Sequence, residues 1–133
     1  MSSVRASVVV LLLLVVATTT GCARQSQTVT ITIHHSGFDL TEATVERGVP
    51  VTFILVNEDP IDHEWLIGDE EFHEAHRTGT HEAHDAIPTE VTVPALSSRR
   101  TTITFADAGR LAYICHLPGH EAYGMVGVLT VSG

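Results

Sequence analysis

The feature that most restricts the fold of this chain is a series of short segments rich in β-branched and apolar residues, each cut off by Gly, Pro or an acidic turn. "TVTITIH" alternates β-branched residues with others at a period of two, the spacing of a strand that shows one face to a core and the other to water. "FDLTEATVERG" reads as a second short strand and a turn ending at Gly48. "VPVTFILVN", residues 49–57, is the most apolar stretch and reads as a buried strand. "EWLIG" is another, and after a polar stretch the pattern resumes in "TEVTVPA", "RRTTITF" and "RLAYIC", closing with "MVGVLTVSG". Their number and spacing predict an all-β domain, a Greek-key β-sandwich or barrel of seven to eight strands. No helix longer than a couple of turns is required.

Ahead of the strands, Arg5 precedes the apolar run "ASVVVLLLLVVA" and then "TTTGCA". The run is too short to span a bilayer comfortably, and its charged-then-apolar layout is that of a secretory signal. The small residues before Cys22 resemble the lipobox of bacterial lipoproteins, with Thr19 where Leu is commoner. This reading gives a signal peptide over residues 1–21, a lipidated Cys22 as the new N-terminus, a tether over 22–27 and a domain over 28–133. An ordinary signal peptide with an incidental Cys, or an uncleaved anchor, is the plain alternative. Either way the domain is expected to be exported. Lipidation would anchor it at the outer face of a bacterial cytoplasmic membrane, and otherwise it would be periplasmic or extracellular.

Charge and cysteine usage narrow the chemistry. Loss of Arg5 leaves six basic side chains, all Arg, against sixteen acidic ones, a surface that repels phosphate and argues against a nucleic-acid partner. With Cys22 lipidated, Cys115 is the one remaining thiol and can form no internal disulfide. A lone thiol outside the cytoplasm must be buried, oxidised or bound to something.

Residues 69–88 interrupt the strand pattern with an insertion too long for a plain hairpin connection. It contains "HEAHRTGTHEAH", in which His-Glu-Ala-His occurs twice. His73 and His76 are three apart, as are His81 and His84, so each pair can share a helical face, while Gly79 between them weighs against one continuous helix. Two readings stand: a second, exchangeable metal site, since imidazoles beside carboxylates bind copper or zinc, or a solvated acidic loop. The spacing fixes no coordination geometry.

The densest chemistry lies in "CHLPGHEAYGM". Cys115 ends a strand, His120 arrives five positions later and Met125 five after that, as the last strand begins. A thiolate and an imidazole from one loop, with a thioether behind them, suit a mononuclear copper centre in which two His and a Cys form a trigonal plane and Met lies on the axis. The second imidazole should come from another strand. His63, in "NEDPIDHEW", is the leading candidate; His34, His35 and His116 are the others. Neighbouring strand residues point to opposite faces, so His116 should point away from whatever Cys115 binds.

These residues resemble the cupredoxins, the blue (type 1) copper proteins such as plastocyanin, azurin and rusticyanin, over nearly all of the exported domain. The pattern is a His after an Asn-containing turn, then a distant Cys, His and Met in one loop, here His63, Cys115, His120 and Met125. The loop intervals are most similar to those of rusticyanin. The resemblance implies one type 1 copper cycling between Cu(I) and Cu(II). It also gives Asn57 a role close to the Cys ligand, tying the two ligand loops together.

Multicopper oxidases end in a similar motif but carry a His directly before the Cys. Here Ile114 precedes Cys115 and no His-x-His pair occurs, so oxygen reduction is not expected and the chain reads as a carrier rather than an enzyme. The expected function is one-electron transfer, with His120 as the exit for the electron. Ten of the sixteen carboxylates fall between Glu58 and Asp85, which favours a redox partner with a basic patch. A monomer is expected. The rival reading is copper sequestration or delivery through the same site plus the His-rich loop. A structural zinc site is weaker, because zinc seldom takes a thioether.

Overall fold

The computed structural model describes residues 25–133; the expected signal segment, Cys22 and the start of the tether lie outside the described residues. Nine strands and one helix follow in the order β1 (Gln27–His34), β2 (Gly37–Phe38), β3 (Glu42–Glu46), β4 (Pro50–Asn57), β5 (His63–Gly68), α1 (Glu70–Thr78), β6 (Glu90–Val93), β7 (Ser98–Thr104), β8 (Gly109–Ile114) and β9 (Val126–Ser132). They form two sheets, β2-β1-β4-β7 and β3-β9-β8-β5-β6. Both sheets are mixed, since β1 runs parallel to β4 and β3 parallel to β9. The sandwich reading therefore holds and the closed barrel does not. The strand count exceeds eight because "FDLTEATVERG" supplies both the end of the two-residue β2 and all of β3.

The inner faces meet in one core. Ile31, Ile33, Phe53 and Leu55 come from the first sheet, and Trp65, Ile67, Val93, Tyr113, Leu129 and Val131 from the second. Each fully buried aliphatic or Phe side chain stabilises the fold by about 1.5–3 kcal/mol relative to exposure. In β4 the buried positions alternate through Val51, Phe53, Leu55 and Asn57, so even the most apolar stretch turns only one face inward.

Residues 69–88 split into a helix and an irregular return. Asp69 caps α1 by accepting from the Phe72 N–H at 2.9 Å, and Glu70 and Glu71 sit at the positive end of the helix dipole. Gly79, at φ 67°, ends it, with its own N–H bonded to the His76 carbonyl and the Thr80 N–H to that of Ala75. The break expected at Gly79 is this cap. Among the described residues no helix is long and apolar enough to cross a membrane.

Connectivity sets the position of the site. β4 ends at Asn57 and β5 begins at His63, while β8 ends at Ile114 and β9 begins at Val126. Because β5 lies between β8 and β6, the 58–62 and 115–125 loops emerge at the same end of the sandwich.

Candidate metal centre

His63, Cys115 and His120 each present a donor atom within 4.8 Å of the others, and among the described residues no other set of three His, Cys, Asp or Glu side chains closes this tightly. His63 Nδ1 lies 3.2 Å from His120 Nδ1, which is 3.3 Å from Cys115 Sγ. His63 and Cys115 are fully buried and His120 is partly exposed. The arrangement thus has a dry floor and one edge at the surface.

Each donor is held by its neighbours. His63 opens β5, paired with Val93 of β6, and its Nε2–H donates to Asp59 Oδ2 at 2.9 Å. That bond assigns the proton to Nε2 and leaves the Nδ1 lone pair facing Cys115 and His120. Asp59 in turn accepts from the N–H groups of His35 and Ser36. Burial alone would raise its carboxyl, but these two N–H groups and His63 hold it below the ordinary value. The Cys115 sulfur accepts from the Glu64 N–H at 3.3 Å. Burial pushes the thiol up while the N–H groups of Glu64 and Leu117 oppose the rise. Burial, and then the neighbouring His63, holds the His120 imidazole low, so it is neutral and its lone pair is free at pH 7.

Met125 is fully buried where the loop rejoins β9. Its N–H donates to the His120 carbonyl at 3.1 Å and its carbonyl accepts from the Cys115 N–H at 3.2 Å. Cys115, His120 and Met125 are therefore tied together by backbone as well as by sequence.

The remaining residues singled out in the sequence fall elsewhere. Asn57 is buried, but its amide reaches the carbonyls of Ile61, Val93 and Pro94, joining the His63 loop to the β6–β7 turn. The Glu64 N–H ties the His63 strand to the Cys115 sulfur. The His34 and His35 rings lie against each other at a tilt of 40°, and His34 lies 3.7 Å from Glu58. His116 bonds through Nε2 to His73 Nδ1 at 2.9 Å. His73 is fully buried, and its Nε2–H donates to the Ala112 carbonyl. His76, His81 and His84 line an open cavity with His116. Asp59 and the Glu64 N–H were missed by sequence reasoning; "NEDPIDH" shows acids, but not which of them folds back onto the imidazole.

The donor set fits a single soft-to-borderline metal. One buried thiol, which would bind as thiolate, two imidazoles and a buried thioether next along the chain suit copper, while zinc would ask for a fourth strong ligand. A family model described as "Cupredoxin-like domain" matches residues 6–131. The chain belongs to the cupredoxin-like family.

As a cupredoxin it is similar to the "Copper-resistant cuproprotein CopI" of Rubrivivax gelatinosus, at 33% identity over 82% of this chain and 68% of that protein. The CopI of Pseudomonas aeruginosa is 28% identical over 82% of this chain and 78% of its own length. Among solved structures, auracyanin A of Chloroflexus aurantiacus, described as a "blue" copper protein, aligns with a TM-score of 0.64 and 26% identity, covering 81% of this cupredoxin and 100% of that chain. Auracyanin B shares the fold, with a TM-score of 0.67 and 24% identity over 80% and 89% of the two chains.

Proposed function

We propose that this cupredoxin binds one copper ion, which His63, Cys115 and His120 would hold with the Met125 thioether beside them, and transfers single electrons through it. The observation that carries the reading is the convergence of His63 Nδ1, His120 Nδ1 and Cys115 Sγ at 3.2–3.3 Å steps in a buried pocket. Bound copper would supply the one-electron couple between Cu(II) and Cu(I). The residues supply rigidity: Asp59 fixes the His63 ring, the Glu64 N–H holds the sulfur, and two backbone bonds fix Met125. A site that cannot rearrange fits neither oxidation state fully, which keeps the cost of switching low.

His120 is the ligand at the surface, so its ring is the port for the electron. The exposed side chains of Ile61, Leu96 and Tyr123 stand on the loops at this end, and the Tyr123 N–H bonds to the His120 carbonyl. This end suits a short-lived encounter, with the carboxylates beyond it steering a basic partner. The N-terminal apolar run and Cys22 support export and anchoring.

A second reading, copper sequestration or delivery, is favoured by the name of the CopI relatives. An absorption spectrum of the Cu(II)-loaded protein, followed by voltammetry, separates the two. An intense thiolate band that bleaches with ascorbate, together with a reversible wave, supports electron transfer. Copper binding with no such wave supports sequestration, and absence of the band would sink the type 1 assignment.

A further inference from the structure

The open cavity beside α1, about 790 Å³, is lined by His76, His81, His84, Glu90 and His116 among others. Two of these imidazoles are oriented in the same way. His76 Nδ1–H donates to the Phe72 carbonyl at 2.9 Å, and His84 Nδ1–H to the Asp85 carbonyl at 2.8 Å. A carbonyl can only accept, so in each neutral ring the proton sits on Nδ1 and Nε2 carries the lone pair. Glu90 Oε1 lies 3.1 Å from His84 Nε2, to which it is hydrogen-bonded, and 3.4 Å from His76 Nε2, to which it is not.

A neutral His84 would set its Nε2 lone pair against the carboxylate oxygen, so a positive charge has to sit there. A second proton on His84, favoured by the Asp85 carbonyl and Glu90, is one solution, and a cation in its place, shared with His76, is the other. The His76 side chain is only 7% exposed, and its Nε2 is buried with no hydrogen-bond partner, an orphan that a folded protein rarely tolerates. Backbone-anchored Nδ1–H groups with free Nε2 atoms around a carboxylate are how metal-binding imidazoles are prepared. The His81 ring stacks on His76 at 4.4 Å and 6°, which closes one side.

We propose that His76 Nε2, His84 Nε2 and the Glu90 carboxylate, a more open set than the first, draw together around a borderline divalent cation as a second metal site, with Cu(II) the preferred ion. Two nitrogens and an oxygen, with no sulfur, hold Cu(II) above other first-row divalent ions and disfavour Cu(I). The ligands are not the near-neighbour pairs that the repeated His-Glu-Ala-His suggests. His73 turns inward to Ala112 and His116, and the partners are instead His76, His84 and a β6 carboxylate. Because His116 lines the same cavity and follows Cys115 in the chain, the two sites are joined by one peptide unit.

The test is Cu(II) titration of the full chain, read by bound-metal analysis, by the thiolate absorption band and by electron paramagnetic resonance. The expected result is two equivalents, the second adding a signal without thiolate character and no new intense band. His84→Gln and Glu90→Gln, both at partly exposed positions, are expected to weaken the second equivalent by about tenfold or more and to leave the thiolate band intact. Cys115→Ser is expected to do the reverse. One equivalent per wild-type chain, or a second that neither His84→Gln nor Glu90→Gln weakens, overturns the proposal. The thiolate band reports on the first site throughout, so failure of either site is seen separately.

Discussion

Asp59 and His63 are locked together: the carboxylate accepts a hydrogen bond from the imidazole Nε2–H at 2.9 Å while two backbone N–H groups hold the carboxylate itself. The acid thus decides which nitrogen of His63 faces the thiol, and it does so from a fully buried ring. This one contact connects the β1–β2 turn to the candidate metal centre.

Asp59→Asn should therefore damage metal binding more than folding. The amide keeps an acceptor for one N–H but binds the His63 proton more weakly, freeing the ring to turn. Loss of such a supporting bond typically costs 10- to 100-fold in metal affinity, and a copper competition titration would read it. Unchanged affinity in a variant that melts like the wild type would refute the orienting role.

The same carboxyl sets part of the acid stability. Its native pKa is held below the unfolded value of 3.8, so its stabilisation is fully present above that value and is lost as pH falls through the lower native one. His73 and His116 act earlier. Burial holds both below the ordinary 6.5, and protonating His73 at Nδ1 would remove the acceptor that His116 Nε2–H uses. The unfolded chain then binds more protons, so the metal-free protein should lose stability as pH falls from about 7 toward 5. His73→Asn should flatten that slope in thermal melts; an equally steep slope would assign it to other groups.

The architecture was largely legible because period-two runs and turn residues act locally. "TVTITIH" and "RLAYIC" became β1 and β8 with only their ends shifted. The order of the candidate donors was legible for a related reason: Cys115, His120 and Met125 share one loop whose ends are fixed by two paired strands. What sequence did not show depends on contacts across the fold. Asp59 is one of ten carboxylates between Glu58 and Asp85, and only the chain's path back to β5 singles it out. The partners of Asn57 were not legible either, because its bonds run to Ile61 and across to the β6–β7 turn. His73 looked like one of four equivalent histidines until α1 turned it onto the sheet.

Gly127 tests the packing behind the site. A Cβ there would lie 2.1 Å from Tyr113 Cζ, and Tyr113 is fully buried with its hydroxyl bonded to the Leu40 carbonyl. Moving the buried ring would break its bond to Leu40, so Gly127→Ala should cost about 1–3 kcal/mol, read by denaturant unfolding. Gly133→Ala, with only Ala108 at 3.8 Å, should be neutral and serves as the control.

Met125 offers a test that separates tuning from folding. Its side chain is fully buried, and Leu conserves its volume, so Met125→Leu should cost less than about 1.5 kcal/mol of stability. The backbone bonds to His120 and Cys115 do not depend on the side chain and should survive. What disappears is a weak sulfur donor, replaced by hydrocarbon that solvates the higher charge of Cu(II) less well. The reduced state is then favoured, and the midpoint potential should rise while the thiolate band persists. Voltammetry on the copper-loaded variant reads this directly. A potential equal to that of the wild type would place the Met125 sulfur outside the reach of the metal and leave three ligands, not four, as the working set.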